Sequence, residues 1–371
     1  MNRARLVVEK LLAEADVHVN GSQMCDIQVK DERFYAAVLH GGVLAFGESY
    51  MAGWWDSQAL DELAARLTLH RIANKAQLTP ANILLTLEAL VGNLGAKKHA
   101  FEVGERHYNI GNDLFERMLD KRMTYSCGYW REAENLDQAQ EAKLDLVCRK
   151  LGLKAGHQVL DLGCGWGSFA KFAAEQYGVS VVGLTVSAEQ MKLGCERCKG
   201  LPVEFRLQDY RDAEGVFDRI VSIGMFEHVG YKNYETYMEV ANRCLKEDGL
   251  FLLHTLGSNT STNHTNPWIN KYIFPNGMLP SIAQIGRALE ERFVMEDWHN
   301  FGAYYDRTLM AWFENFDRHW PEISAKYGGT FYRMWKYYLL SCAGALRARG
   351  AQLWQIVLSK HGVKGGYEST R

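Results

Sequence analysis

Several features are missing from this 371-residue chain, and each absence narrows what it can do. No run approaches the ~18 to 20 continuous apolar residues that a membrane-spanning helix needs. The N-terminal MNRARLVVEKLLAEADVHVNG alternates charge and apolar residues in helical fashion. It lacks the unbroken apolar core and small-residue cleavage site of a signal peptide, so a cytoplasmic protein is expected. There is no basic excess: the formal net charge is -2, which argues against a nucleic-acid partner. The eight cysteines show no disulfide-framework spacing. Cys195 and Cys198 form a CxxC, but no second pair or His cluster completes a metal site, and no metal is expected. Repeats and low-complexity tracts are also lacking.

What is present is an ordinary globular composition, 47% hydrophobic and 23% charged, with length for about two domains on the usual ~150-residue prior. Aromatics reach 12%, and ten Trp with eighteen Tyr exceed what core packing requires. Residues 1–95 read as a smaller, mainly helical N-terminal domain with one extended piece, CDIQVKD. Within it, GGVLAFGESYMAGWWD gathers Tyr50, Met51, Trp54 and Trp55, which suit either a core or a lipid-facing surface. Thr79-Pro80 marks the start of an amphipathic helix through ANILLTLEALVGN. Residues 96–371 form the second domain. From about 156, HQVLDLG, SVVGLTV, VEFRLQD, FDRIVSIG and GLFLLHT read as strands alternating with helices, which predicts a mostly parallel α/β sheet covered on both faces. A long aromatic region follows, with one late strand, RFVMEDWHNF, and helices to the end.

The turn VLDLGCGWGSF carries the first chemistry. Gly163, Gly165 and Gly167 follow a strand and precede a helix, where glycine permits positive φ and close approach of the backbone to a ligand. A dinucleotide fingerprint would be GxGxxG with an acid ~20 residues on. Here the spacing is GxGxG, and the second strand ends in Thr185, Ser187 and Gln190 with no acid at its tip. Asp161, just before the first glycine, is placed to meet a cation. S-adenosylmethionine, with its cationic methionine end and no pyrophosphate, is the cofactor expected. Asp209 and Tyr210, after the third strand, suit the amino group and the face of its adenine.

These motifs, with YSCGYW, GMFEHVG, NPWINKYIFPNG and MEDWHNFGAYYDRTLMAW, resemble those of the cyclopropane-fatty-acyl-phospholipid synthases and their mycolic-acid relatives, over nearly the whole chain. The resemblance implies a Rossmann-like S-adenosylmethionine-dependent methyltransferase domain and an N-terminal domain that contacts lipid. It implies an enzyme that moves a methylene onto the cis double bond of a phospholipid acyl chain, and a homodimer docked peripherally on the inner face of the membrane. Carried over residue by residue, it assigns Tyr125 and Ser126 to the cofactor. It assigns a bound bicarbonate, the proton acceptor, to Cys127, Glu227, His254 and Tyr305 with the backbone of Leu256. Tyr304 and Tyr305 are adjacent, and only the resemblance selects between them. A methyltransferase acting on a nitrogen or oxygen, and a non-catalytic S-adenosylmethionine sensor, are the alternative readings. The reactive positions and the complete N-terminal region favour cyclopropanation over both.

Overall fold

In the computed structural model, residues 3–75 and 110–371 are described. The expected amphipathic helix ANILLTLEALVGN and the expected boundary at 95/96 lie outside them. Contacts divide the chain into two units, Met1–Gly92 with Asn263–Pro275 and Tyr305–Ala351, and Asn93–Thr262 with Asn276–Tyr304 and Gln352–Arg371. No described helix is long and apolar enough to cross a membrane.

In the first unit, helices Arg3–Ala13, Arg33–Met51 and Leu60–Leu69 accompany a short antiparallel pair, β1 (Gln28–Val29) and β2 (Trp55–Asp56). Tyr50 and Trp55, two of the aromatics with two readings, are buried in the core at ring distances of 5.0 Å from each other and 5.4 Å from Tyr50 to Tyr337. Arg333 fastens this cluster. Its guanidinium lies 3.9 Å from the centre of the Tyr50 ring, donates to the carbonyls of Tyr50 and Trp55, and pairs with Asp56 at 3.2 Å. The long helical segment Tyr304–Arg347 is broken at Gly328, whose φ of 76° and ψ of 165° no helix contains.

The second unit is built on a seven-stranded sheet in the order β5-β4-β3-β6-β7-β9-β8. Its strands are β3 (Gln158–Leu162), β4 (Ser180–Thr185), β5 (Val203–Leu207), β6 (Phe217–Ile223), β7 (Leu245–Ser258), β8 (Val294–Asn300) and β9 (Ala351–Ser359). β3 to β7 pair in parallel and β8 with β9 antiparallel. The five strands expected before residue 256 and the late one are all present; β9, expected as helix, is a strand. Alternate residues feed opposite faces, as a pleat requires. Val159, Val181 and Val221 pack with Phe169 and Val147 on one side. Leu160, Ile220 and Phe251 pack with Tyr237 and Met238 on the other. The chain leaves β3 toward β4 on one side and returns through β6 on the other, so the strand order reverses at β3. A crevice opens at the carboxyl ends of such strands.

Candidate functional site

That crevice is a cleft lined by the glycine turn, the tips of β4 and β6, and the loop holding Tyr125 and Ser126. Gly163 and Gly165 have φ of +84° and +54°. A Cβ on Gly163 would stand 2.8 Å from the Cβ of Met225, whereas one on Gly165 would meet open space. Gly167, also expected at the cofactor, is not among the lining residues; with φ of 77° it caps the helix Ser168–Tyr177.

Asp161 lines the cleft, and its Oδ2 is buried with no hydrogen-bond partner among the described residues. Burial pushes its carboxyl up to about 7, against the opposing pull of Lys143. Thr185 donates from Oγ1 to Gln190 Oε1 at 3.0 Å, so two residues expected at the cofactor also brace each other. Asp209 caps the turn after β5 by accepting from the Arg211 N–H at 2.9 Å and pairs with the Arg211 guanidinium at 2.9 Å. Tyr210 packs on Tyr237 at 4.8 Å. Both line the cleft. Nine of the ten cofactor positions therefore share one cavity, as a bound S-adenosylmethionine requires, and Asp161 offers an uncommitted acceptor to a cation.

The loop is held by the helix Leu136–Lys150. Gln140 donates to the Ser126 carbonyl at 2.7 Å, Lys143 Nζ to Ser126 Oγ at 2.9 Å, and the Tyr129 N–H to the Ala139 carbonyl at 2.8 Å. Lys143 itself lines the cleft and was not anticipated. Its signal was a lysine on the same stripe as Leu136, Ala139 and Val147, where an amphipathic helix places apolar residues.

Glu227, His254 and Leu256 meet where β6 and β7 end. Ile223 pairs with His254 in register, and the Gly224 N–H donates to the His254 carbonyl at 2.9 Å. The Leu256 N–H, expected to face bicarbonate, donates instead to Glu227 Oε1 at 2.6 Å. Glu227 Oε2 and His254 Nε2 are buried without partners among the described residues. Burial pushes Glu227 up to about 7, opposed by the Leu256 N–H. Burial, with the charges of Lys143 and Lys150, drives His254 well below its ordinary value, so the imidazole is neutral. Gln355 Nε2 lies 3.2 Å from His254 Nδ1 and donates to it in the tautomer that carries the ring proton on Nε2. Cys127 is fully buried with its thiol 3.2 Å from the Gly128 carbonyl. Tyr305 belongs to the first unit, its ring 5.9 Å from Trp312. It lies with Tyr304 in the first turn of a helix, so the alternation of an extended segment does not separate the two.

The raised Glu227 gives a pH prediction. A carboxyl whose folded value exceeds its unfolded one keeps its proton on folding, so its cost to stability is absent below about 4.5 and grows until about 7. Glu227→Gln should therefore gain up to about 3 kcal/mol on the parent across that window. Urea midpoints at both ends measure it, and a constant difference would refute it.

A sequence profile of the family described as mycolic acid cyclopropane synthetase matches residues 95–356. The chain is 53% identical over 365 residues to the cyclopropane-fatty-acyl-phospholipid synthase of Escherichia coli K12, covering 98% of this chain and 95% of that one. It is 38% identical over 275 residues to a probable fatty acid methyltransferase of Pseudomonas putida, covering 71% and 70%. Among solved structures, a cyclopropane synthase of Mycobacterium tuberculosis superposes with a TM-score of 0.67 at 33% identity, over 70% of this chain and 98% of that one.

Proposed function

The chain belongs to the mycolic acid cyclopropane synthetase family of S-adenosylmethionine-dependent methyltransferases, and from that premise we propose that it cyclopropanates unsaturated phospholipids. The observation that carries the reading is the pair of buried, uncommitted groups, Glu227 Oε2 and His254 Nε2, at the same sheet edge as the cofactor cleft. A methyltransferase acting on nitrogen or oxygen works with a nucleophile that already has a lone pair. An alkene has none, and its attack leaves a carbocation that must lose a proton away from water. Buried groups that hold and move one proton suit that need.

When bound, S-adenosylmethionine supplies the one-carbon unit and bicarbonate a mild base. Tyr125, Ser126, Asp161, Gly163, Gly165, Thr185, Gln190, Asp209 and Tyr210 would hold the cofactor. His254, through Nε2, and Glu227, through Oε2, would hold the bicarbonate. Cys127 and Tyr305 enter this set on the resemblance alone. The Leu256 backbone acts indirectly, by fixing the Glu227 carboxyl. Residues 1–95 would be the lipid-contacting part and 96–371, apart from 263–275 and 305–351, which cluster with the first unit, the catalytic part, working as a peripheral homodimer on the cytoplasmic face of the membrane.

The test is incubation of the purified chain with S-adenosylmethionine and vesicles of a cis-unsaturated phospholipid, then mass analysis of the released fatty acids. A gain of one CH2 with loss of the alkene is expected, slowed by bicarbonate depletion and restored by its addition. No lipid product with cofactor still bound would move the reading to a small-molecule methyltransferase. Product formation indifferent to bicarbonate would make Glu227 the base.

A further inference from the structure

Two opposite charges line the cleft without closing on each other. Lys143 has no exposed surface, donates to Ser126 Oγ at 2.9 Å, and forms no ion pair among the described residues. Asp161 is 2% exposed, its Oδ2 has no hydrogen-bond partner, and it too forms no ion pair there. An ammonium and a carboxylate each cost several kcal/mol to bury unless paired. Had they been placed for each other, contact at ~2.7 to 2.9 Å would be the favourable arrangement. Kept apart on the walls of one cavity, they suit a ligand that carries both charges in the opposite sense.

The amino-acid end of S-adenosylmethionine is such a group, an α-carboxylate and an α-ammonium on one carbon. We propose that Lys143 is the counter-ion of the cofactor's α-carboxylate while Asp161 takes its α-ammonium, so that one zwitterion neutralises both buried charges. The assignment rests on the cofactor reading above and adds to it a residue and a direction, since the two charges fix which way the methionine end faces. Ser126 has the subordinate part of steadying the ammonium of Lys143. Gln140 holds the same loop from the preceding turn of the same helix and keeps Ser126 in reach.

The test compares S-adenosylmethionine with its decarboxylated form, which keeps the sulfonium and the amine and loses only the carboxylate. Each is titrated calorimetrically into the full chain and into Lys143→Met. The parent should favour S-adenosylmethionine by roughly tenfold or more, as expected for a hydrogen bond to a charged group. In Lys143→Met that preference should collapse to about twofold, through loss of affinity for S-adenosylmethionine alone. Equal binding of the two compounds by the parent overturns the proposal with no variant needed. An equal weakening of both by Lys143→Met also overturns it, leaving Lys143 to support the Ser126 loop. If the variant keeps the preference but demands more bicarbonate for turnover, the anion is the inorganic one and the proposal falls. If neither compound binds the parent, the cofactor reading beneath it fails instead.

Discussion

Glu227→Gln is expected to lose about 10²- to 10³-fold in turnover while binding S-adenosylmethionine as the parent does. The substitution keeps the shape of the side chain and an oxygen to accept from the Leu256 N–H, the bond that orients it at 2.6 Å. What it removes is a proton that can come and go near neutrality, from a carboxyl that burial has raised to about 7. Cofactor affinity should be untouched because Glu227 is not among the residues lining the cleft. His254→Ala should act in the same direction by deleting the neighbouring buried Nε2. Calorimetric titration separates binding from turnover, and unchanged rates in both variants would remove this pair from the chemistry.

Gly163→Val should cost roughly a hundredfold in S-adenosylmethionine affinity. The backbone there has φ of +84°, which a β-branched residue adopts only under strain, and the new Cβ would meet Met225 at 2.8 Å. Relief requires the turn to move, and the turn is a wall of the cleft. Gly286 is the contrast: it lies in the helix Ile282–Leu289 with nothing near its missing Cβ. Gly286→Ala should leave binding alone and stabilise the chain by about 0.5 to 1 kcal/mol. Titration with thermal melts measures both; a Gly163→Val protein that folds and binds normally would show that the turn does not shape the site.

The cofactor half of the site was legible in the sequence because its signal is local. A strand, an acid and three alternate glycines occupy nine consecutive residues, from Val159 to Gly167, and the strand tips follow from the alternation of β and α. The residues proposed for proton transfer were named only by resemblance, because Glu227 meets β7 through a contact between distant segments, which no spacing encodes. The Leu256 N–H could not be followed to its acceptor for the same reason: its bond to Glu227 spans 29 residues. β9 was missed because it lies in an aromatic stretch read as helical, and its partner strands are fixed by the sheet rather than by neighbours in sequence. Nor does composition reveal that 263–275 and 305–351 cluster with residues 1–92. Lys143 was visible as a charge on an apolar stripe, a conflict between pattern and residue.

The position of β9 between β7 and β8 bears on how the chain is made. A ribosome delivers β7 early, then residues 259–350, and only afterwards the strand that lies against its open edge. Until then the nascent sheet exposes an unpaired border, the kind that invites wrong partners. β9 also brings Gln355, whose side chain is hydrogen-bonded to His254 Nδ1. The strands and glycine turn of the cofactor cleft, by contrast, are encoded before residue 226. Synthesis thus supplies the elements of the cleft first and the hydrogen-bond partner of His254 last. A message cut short before residue 351 yields a chain missing an interior strand, and with it the side chain that lies against His254.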